Sequence, residues 1–221
     1  MLDFICIFKG HFRTFEKTCK IWEKSLEECD HKYIMHTWEK QDAETTNWHS
    51  NGLQSNKLSN EQIELLHTYD KDCVIESQSF TDEEKAFTRY KAPFKCYLYY
   101  WQGIHSCLRR INEESKYILI SRYDATITDN FKTITCEEDE IVIAYAYSVG
   151  SKFPFTMTDL VYVINYKDKH KLENIPQTLL DWKNDETIYK WPEDHITDFF
   201  YKNWKKVTAK WLIGKHFSLV R

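Results

Sequence analysis

The apolar and polar positions of the first forty residues follow two rhythms in turn. Residues 4–8 (FICIF) form an unbroken apolar run of strand length, the pattern of a strand buried on both faces. From residue 12 to residue 29 the apolar positions Phe12, Phe15, Cys19, Trp22 and Leu26 recur three or four residues apart. That spacing predicts a helix with one apolar stripe. Glu16, Lys17, Lys20, Glu23, Lys24 and Glu27 cover its other face. Residues 33–36 (YIMH) predict a second short strand. Strand, helix and strand in this order predict a βαβ unit, a parallel pair joined by a right-handed crossover.

Residues 41–60 are polar and predict a surface loop. A short helix is expected over 60–69, with Asn60 as its cap. A strand follows at 73–76, a helix at 82–90 capped by Thr81, and an aromatic-rich helix at 97–112. Residues 117–121 (YILIS) predict a strand that ends in Arg122-Tyr123-Asp124, and residues 141–147 (IVIAYAY) another. Helices are expected at 156–166, 173–181 and 192–211, the last with Pro192, Glu193 and Asp194 suited to a first turn. The whole predicts one α/β domain over residues 1–221: a mostly parallel sheet flanked by helices, with a helical C-terminal part.

Composition narrows the function classes. The chain has 221 residues, enough for a full core without disulfide staples, and its 42% hydrophobic and 29% charged residues are ordinary globular usage. Glycine is scarce, 5 residues in all, and neither G-x-x-x-x-G-K-[ST] nor G-x-G-x-x-G occurs, which argues against P-loop and Rossmann dinucleotide sites. The net charge of −4 disfavours sequence-independent nucleic-acid binding. The first ten residues carry too short an apolar run for a signal peptide, and no run elsewhere is of membrane-spanning length. The seven cysteines are irregularly spaced without C-x-x-C, as expected of free thiols in a reducing compartment, so a cytoplasmic location is expected.

In open parallel sheets ligands bind at the carboxyl ends of the strands. Three predicted strand exits carry charged and aromatic residues together. The first has Lys9, Gly10, His11, Phe12 and Arg13, the second His36, Thr37, Trp38 and Glu39, and the third Arg122, Tyr123 and Asp124. Gly10 permits a tight turn and close backbone approach, and Arg13 adds a bidentate donor for phosphate beside a helix N-terminus. Asp124 follows a buried strand directly, where a carboxylate can hold Mg²⁺ or Mn²⁺ against a diphosphate. Trp38 offers a ring to stack on a base or sugar. Asp159, in TMTDL, lies near the start of a predicted helix. Each signal has a structural alternative: an Arg–Asp pair at a strand end, an exposed arginine in a turn, a core tryptophan, an acid in a first helical turn. Together they suit a ligand with a ring, phosphates and a divalent metal.

The order of these segments resembles small GT-A glycosyltransferases of bacterial lipopolysaccharide and capsule synthesis and of capsid-glycan synthesis in large algal DNA viruses. The resemblance rests on GHFRTF at 10–15, HTW at 36–38, RYD at 122–124, TDL at 158–160 and PE at 192–193. The chain departs from the pattern in having one acid where D-x-D is usual, and Leu160-Val161 where Gln-Phe is usual. The resemblance implies a GT-A-like fold, a nucleotide-binding part over about 1–125 and an acceptor-side part over about 126–221. It implies transfer of a hexose or deoxyhexose from a nucleotide-diphosphate donor, UDP-sugar by preference, to a glycan acceptor, with Mn²⁺ or Mg²⁺ as cofactor. Asp124 would hold the metal. Gly10, Phe12, Arg13, Thr37, Trp38, Arg122 and Tyr123 would bind the nucleotide, and Asp159 would be catalytic. A catalytically inactive carbohydrate- or nucleotide-binding relative and a nucleotidyltransferase are the alternatives.

Overall fold

The computed structural model describes residues 1–41, 46–47, 50–51, 56–78, 94–147, 155–175 and 192–219. Strand β1 (Leu2–Gly10) leads through helix α1 (Phe15–Leu26) to β2 (His31–Trp38). Two short antiparallel strands, β3 (Thr46–Asn47) and β4 (Ser50–Asn51), precede α2 (Asn60–Tyr69) and β5 (Val74–Glu76). Then come α3 (Phe94–Leu108), β6 (Ser115–Arg122), β7 (Ala125–Ile127), β8 (Glu140–Tyr147) and β9 (Phe155–Asn165). A 3-10 segment (Tyr166–Asn174), α4 (Pro192–Asn203), β10 (Lys206–Leu212) and β11 (Phe217–Leu219) complete the order.

Seven strands make one sheet in the order β5-β2-β1-β6-β9-β8-β10. Pairing is parallel at β1/β2, β2/β5, β1/β6 and β8/β10, and antiparallel where β9 lies between β6 and β8. The fold is therefore α/β, with a mostly parallel sheet flanked by helices. The βαβ unit forms as the sequence predicts, with Gly10 opposite Thr37 in register.

Two-residue alternation sorts the strand side chains onto two faces. Phe4, Cys6 and Phe8 of β1, Leu119 of β6, Val142 of β8 and Val163 of β9 pack with Phe15, Cys19, Trp22 and Leu26 of α1. Ile5, Ile7, Ile118, Ile120, Ile141, Ile143 and Ile164 pack on the other face with Trp101 and Ile104 of α3 and Phe199 and Phe200 of α4. Isoleucine dominates one layer; phenylalanine, cysteine and valine fill the other. A Cβ on Gly103 of α3 would come within 2.9 Å of His36 Nδ1, so glycine lets α3 press against the end of β2.

The structure corrects several predicted elements. Residues 156–166 are strand, not helix. Leu160 to Ile164 are buried without interruption, because β9 is flanked on both edges and covered on both faces. Of the helix expected at 192–211, only the part to Asn203 is helical; Lys206–Leu212 is an edge strand, and the C-terminal part is correspondingly less helical than expected. The cap of α2 is Ser59, not Asn60: its hydroxyl accepts from the Gln62 backbone N–H, and Gln62 answers to the Ser59 N–H in a capping box. Tyr166–Asn174 is a 3-10 segment where the helix of 173–181 was expected to begin. The predicted helix at 82–90 lies outside the described residues.

Candidate functional site

The chain builds β1, steps outward to β2 and β5, then returns to place β6 on the other side of β1. That reversal makes the carboxyl ends of β1 and β6 a topological switch point, the position where open α/β sheets bind ligands. Arg13 sits just beyond β1, Arg122 ends β6, and Asp124 follows two residues later.

These three residues meet. Arg122 grips Asp124 with Nε to Oδ1 at 2.9 Å and Nη2 to Oδ2 at 2.6 Å. Arg13 Nη1 reaches Oδ2 at 2.7 Å. The Asp124 side chain is 2% exposed, whereas those of Arg13 and Arg122 are 21% and 19% exposed. Burial pushes the Asp124 carboxyl upward, but the two guanidiniums together outweigh it and hold the group at about 2. Arg13 adopts a left-handed backbone with φ +43°, an uncommon choice for a side-chain-bearing residue. Its N–H donates to the Gln41 carbonyl at 3.2 Å, so the turns after β1 and β2 brace each other.

The turn's other predicted residues divide by exposure. Gly10 has φ +108° with open space where a Cβ would stand, so the backbone itself faces a ligand approach. Thr37 is buried and its hydroxyl donates to the Gly10 carbonyl at 3.0 Å. Phe12, Trp38 and Tyr123 are fully or almost fully buried. Phe12 packs on Phe15 and Tyr123, with centroids 5.8 and 6.4 Å apart. Trp38 meets His36 and Tyr99 at 4.6 and 5.0 Å. The Tyr123 hydroxyl donates to the His36 carbonyl at 3.0 Å, and burial pushes its phenol far up. These three rings form the wall behind the turn. Asp159 lies on β9, two residues before Val161, which pairs with Ser121. Its backbone is thus at the end of the sheet that carries Arg122, on a strand rather than in a helical turn.

Sequence reasoning missed what fixes this site in place. Helix α1 donates a ladder of side-chain bonds to alternate carbonyls of the segment around Asp124. Thr18 Oγ1 reaches Tyr123 O at 2.6 Å, Trp22 Nε1 reaches Ala125 O at 2.8 Å and Ser25 Oγ reaches Ile127 O at 2.6 Å. The helix repeat thereby meets the strand repeat of two. The available signal is that Thr18 and Ser25 are polar residues on the apolar face of α1. Lys9 was noted only as a strand-exit cation; it is fully buried, with Nζ 2.9 Å from the Tyr100 ring centroid. Beside it His36 Nε2 lies 3.3 Å from Glu76 Oε2, and burial pulls the imidazole down despite that carboxylate.

The metal expectation meets an engaged carboxylate. Both oxygens of Asp124 accept from guanidiniums, and the triad is net positive before any cation arrives. Among the described residues no three His, Cys, Asp or Glu side chains converge as a metal set. A divalent cation at Asp124 would share a carboxylate already held by two guanidiniums. Cys6, Cys19, Cys29, Cys73, Cys107 and Cys136 are buried thiols. Among the described residues no helix is long and apolar enough to cross a membrane.

Fold and site together define an α/β protein with two arginines paired to one buried carboxylate at its switch point. No protein-family model matches the chain, and no curated protein sequence matches it. Its backbone is similar to the crystal structure of the glycosyltransferase GlyE of Streptococcus pneumoniae TIGR4, at TM-score 0.50 and 14% identity over 95% of this chain and 45% of that one. The apo-form structure of GlyE aligns at TM-score 0.47 and 12% identity, over 93% of this chain and 45% of that one. The chain thus spans less than half the length of these neighbours, and the likeness is one of fold.

Proposed function

We propose that this chain is a glycosyltransferase domain that binds a nucleoside-diphosphate sugar at the ends of β1 and β6 and transfers the sugar to a glycan. The observation that carries the reading is the meeting of Arg13 and Arg122 over a sealed Asp124 at the switch point. Two guanidiniums beside an open glycine backbone suit a diphosphate, since guanidinium binds phosphate oxygens through paired N–H donors. The fold likeness to a glycosyltransferase supports a sugar nucleotide over other diphosphates, and a uridine nucleotide with a hexosyl or deoxyhexosyl group is the donor class proposed.

The chemistry is displacement at the anomeric carbon. The bond from that carbon to the diphosphate oxygen breaks, and its electron pair leaves with the diphosphate. An acceptor hydroxyl oxygen forms the new bond and gives up its proton. Arg13 and Arg122 stabilise the charge that grows on the leaving diphosphate. Asp159 is the proposed acceptor-side carboxylate, orienting the hydroxyl and, in an inverting reaction, taking its proton. Its place on β9 at the same end of the sheet supports this role.

The test is release of nucleoside diphosphate from a panel of nucleotide sugars, with and without oligosaccharide acceptors. One donor should be consumed, and Asp159→Asn should lower its turnover by about 10²-fold or more while nucleotide binding persists. Binding without turnover of any donor would return the reading to a glycan- or nucleotide-binding relative. Transfer of the nucleotidyl group instead of the sugar would make the chain a nucleotidyltransferase.

A further inference from the structure

We propose that His36 is an acid-sensitive latch: its neutral imidazole holds α3 against the end of β2, and a second proton on the ring opens that contact. The inference stands apart from the donor proposed above and concerns how the wall behind the site is kept closed. It starts from a fully buried ring whose two nitrogens meet different surroundings. Nε2 lies 3.3 Å from Glu76 Oε2, so the proton of the neutral ring is assigned to Nε2 and donated there. Nδ1 is buried without a hydrogen-bond partner, and its edge of the ring faces Gly103 of α3, where a Cβ would stand only 2.9 Å away. A lone pair is tolerated in that position. An N–H is not, because a buried donor without an acceptor loses its hydration with nothing in return, and a charged one loses more.

The groups around the ring set the direction. Burial disfavours the charged imidazole most, and Arg110 just beyond α3 adds to it, so the ring stands below its ordinary 6.5 despite Glu76. The Glu76 carboxylate on β5 attracts a proton only weakly: it is 36% exposed, and Gln102 Nε2 already donates to the same oxygen at 3.0 Å. Lys9, beside His36 on β1, holds its ammonium on the Tyr100 ring, and the Tyr123 hydroxyl bonds the His36 carbonyl rather than the imidazole. Helix α3 meets β2 through contacts of two kinds. Cys107 Sγ reaches the Ile34 carbonyl at 3.7 Å and Arg110 the Met35 carbonyl at 2.9 Å, through groups that keep their protonation state between pH 5 and 8. Nearer the site the contact is Gly103 on the His36 ring, with Tyr99 against Trp38, which itself packs on His36. Protonation of His36 therefore loosens the end of α3 that backs Trp38 and leaves the other end clamped.

Hydrogen-exchange mass spectrometry of the full chain at pH 7.5, 6.5 and 5.5, corrected for the intrinsic exchange rate, reads the latch. Amides of residues 99–103 should lose about three- to tenfold in protection between pH 7.5 and 5.5, while those of α1 hold theirs. The upper figure is the gain of a released imidazole that titrates at its ordinary value of about 6.5. His36→Gln, whose side-chain amide still donates to Glu76 and does not titrate, should remove the pH step. Glu76→Gln takes away the attraction for the charged ring, so the ratio of protection between the two pH values should rise towards the tenfold limit. Circular dichroism melts at each pH confirm that the variants are folded, and the Glu76→Gln ratio decides the matter should His36→Gln not fold. Protection of residues 99–103 that is independent of pH overturns the proposal. An equal loss in α1 also overturns it, since that is acid unfolding of the whole chain. A step that His36→Gln retains, or that Glu76→Gln makes shallower, overturns it by showing that another group titrates.

Discussion

Asp124 shows how one side chain can serve stability and function through the same contacts. Its carboxyl stands at about 2, below its ordinary 3.8, because Arg122 and Arg13 outweigh the cost of burying it. A group lowered in the folded state stabilises the fold at pH values above its unfolded value. That contribution is complete above about pH 4 and is lost as pH falls towards 2. A shift of this size corresponds to about 2 kcal/mol. Asp124→Asn should therefore be less stable than wild type near pH 7 by at least that amount, since it also leaves two guanidiniums without their shared anion. In denaturant titrations at pH 7, 4 and 3 the gap should hold down to pH 4 and narrow below it. A gap that stays constant from pH 7 to pH 3 would mean that the carboxylate's charge is not what stabilises the cluster.

At the scale of elements, α1 decides where the Asp124 segment lies. Thr18, Trp22 and Ser25 satisfy the carbonyls of Tyr123, Ala125 and Ile127, and β11 pairs antiparallel along the other side of β7. Thr18→Val and Ser25→Ala each strand a buried carbonyl, and each should cost about 1–3 kcal/mol in urea unfolding. A loss below about 0.5 kcal/mol in either would show that water reaches the carbonyl in its place. This ladder was not legible in the sequence, because its partners are more than a hundred residues apart. The elements themselves were legible where burial is one-sided or the run is short. The stripe of α1 and the apolar runs of β1 and β6 announce themselves in local spacing. β9 does not: a strand covered on both faces loses its alternation, and residues 156–166 then read as a helix. In β10, Val207 and Ala209 face one core while a register shift after Ala209 carries Trp211 into the other, and the strand follows α4 after two residues, so it is absorbed into the helical pattern. The site residues were legible as a set because they follow strands. That Phe12, Trp38 and Tyr123 form a wall while the arginines face outward depends on packing from both sides, which local sequence does not record.

Across the whole molecule, the edge of β2 shows how distant segments support the site. β5 is only three residues long and pairs with His36, Thr37 and Trp38, so among the described residues the preceding part of β2 has no strand beside it on that edge. Asp70 and Arg110 take its place. Asp70, at the end of α2, accepts the Met35 N–H at 2.7 Å, and Arg110, just beyond α3, donates to the Met35 carbonyl at 2.9 Å. Arg110 Nη2 lies 2.8 and 2.7 Å from the two Asp70 oxygens. One ion pair thus closes a sheet edge and joins α2, β2 and α3. The next residue along β2 is His36, whose carbonyl accepts from Tyr123 beside the arginine cluster. Removing one partner of a largely buried pair leaves the other uncompensated, so Arg110→Ala and Asp70→Asn should each cost about 3 kcal/mol. The double variant should lose much less than the sum, because the second substitution removes a group already stranded. A double-mutant cycle in urea measures this. Additive losses would mean that the two side chains hold Met35 independently. A coupled loss that also weakens nucleoside diphosphate binding would show that the β2 edge helps to position the cluster at the end of β1 and β6.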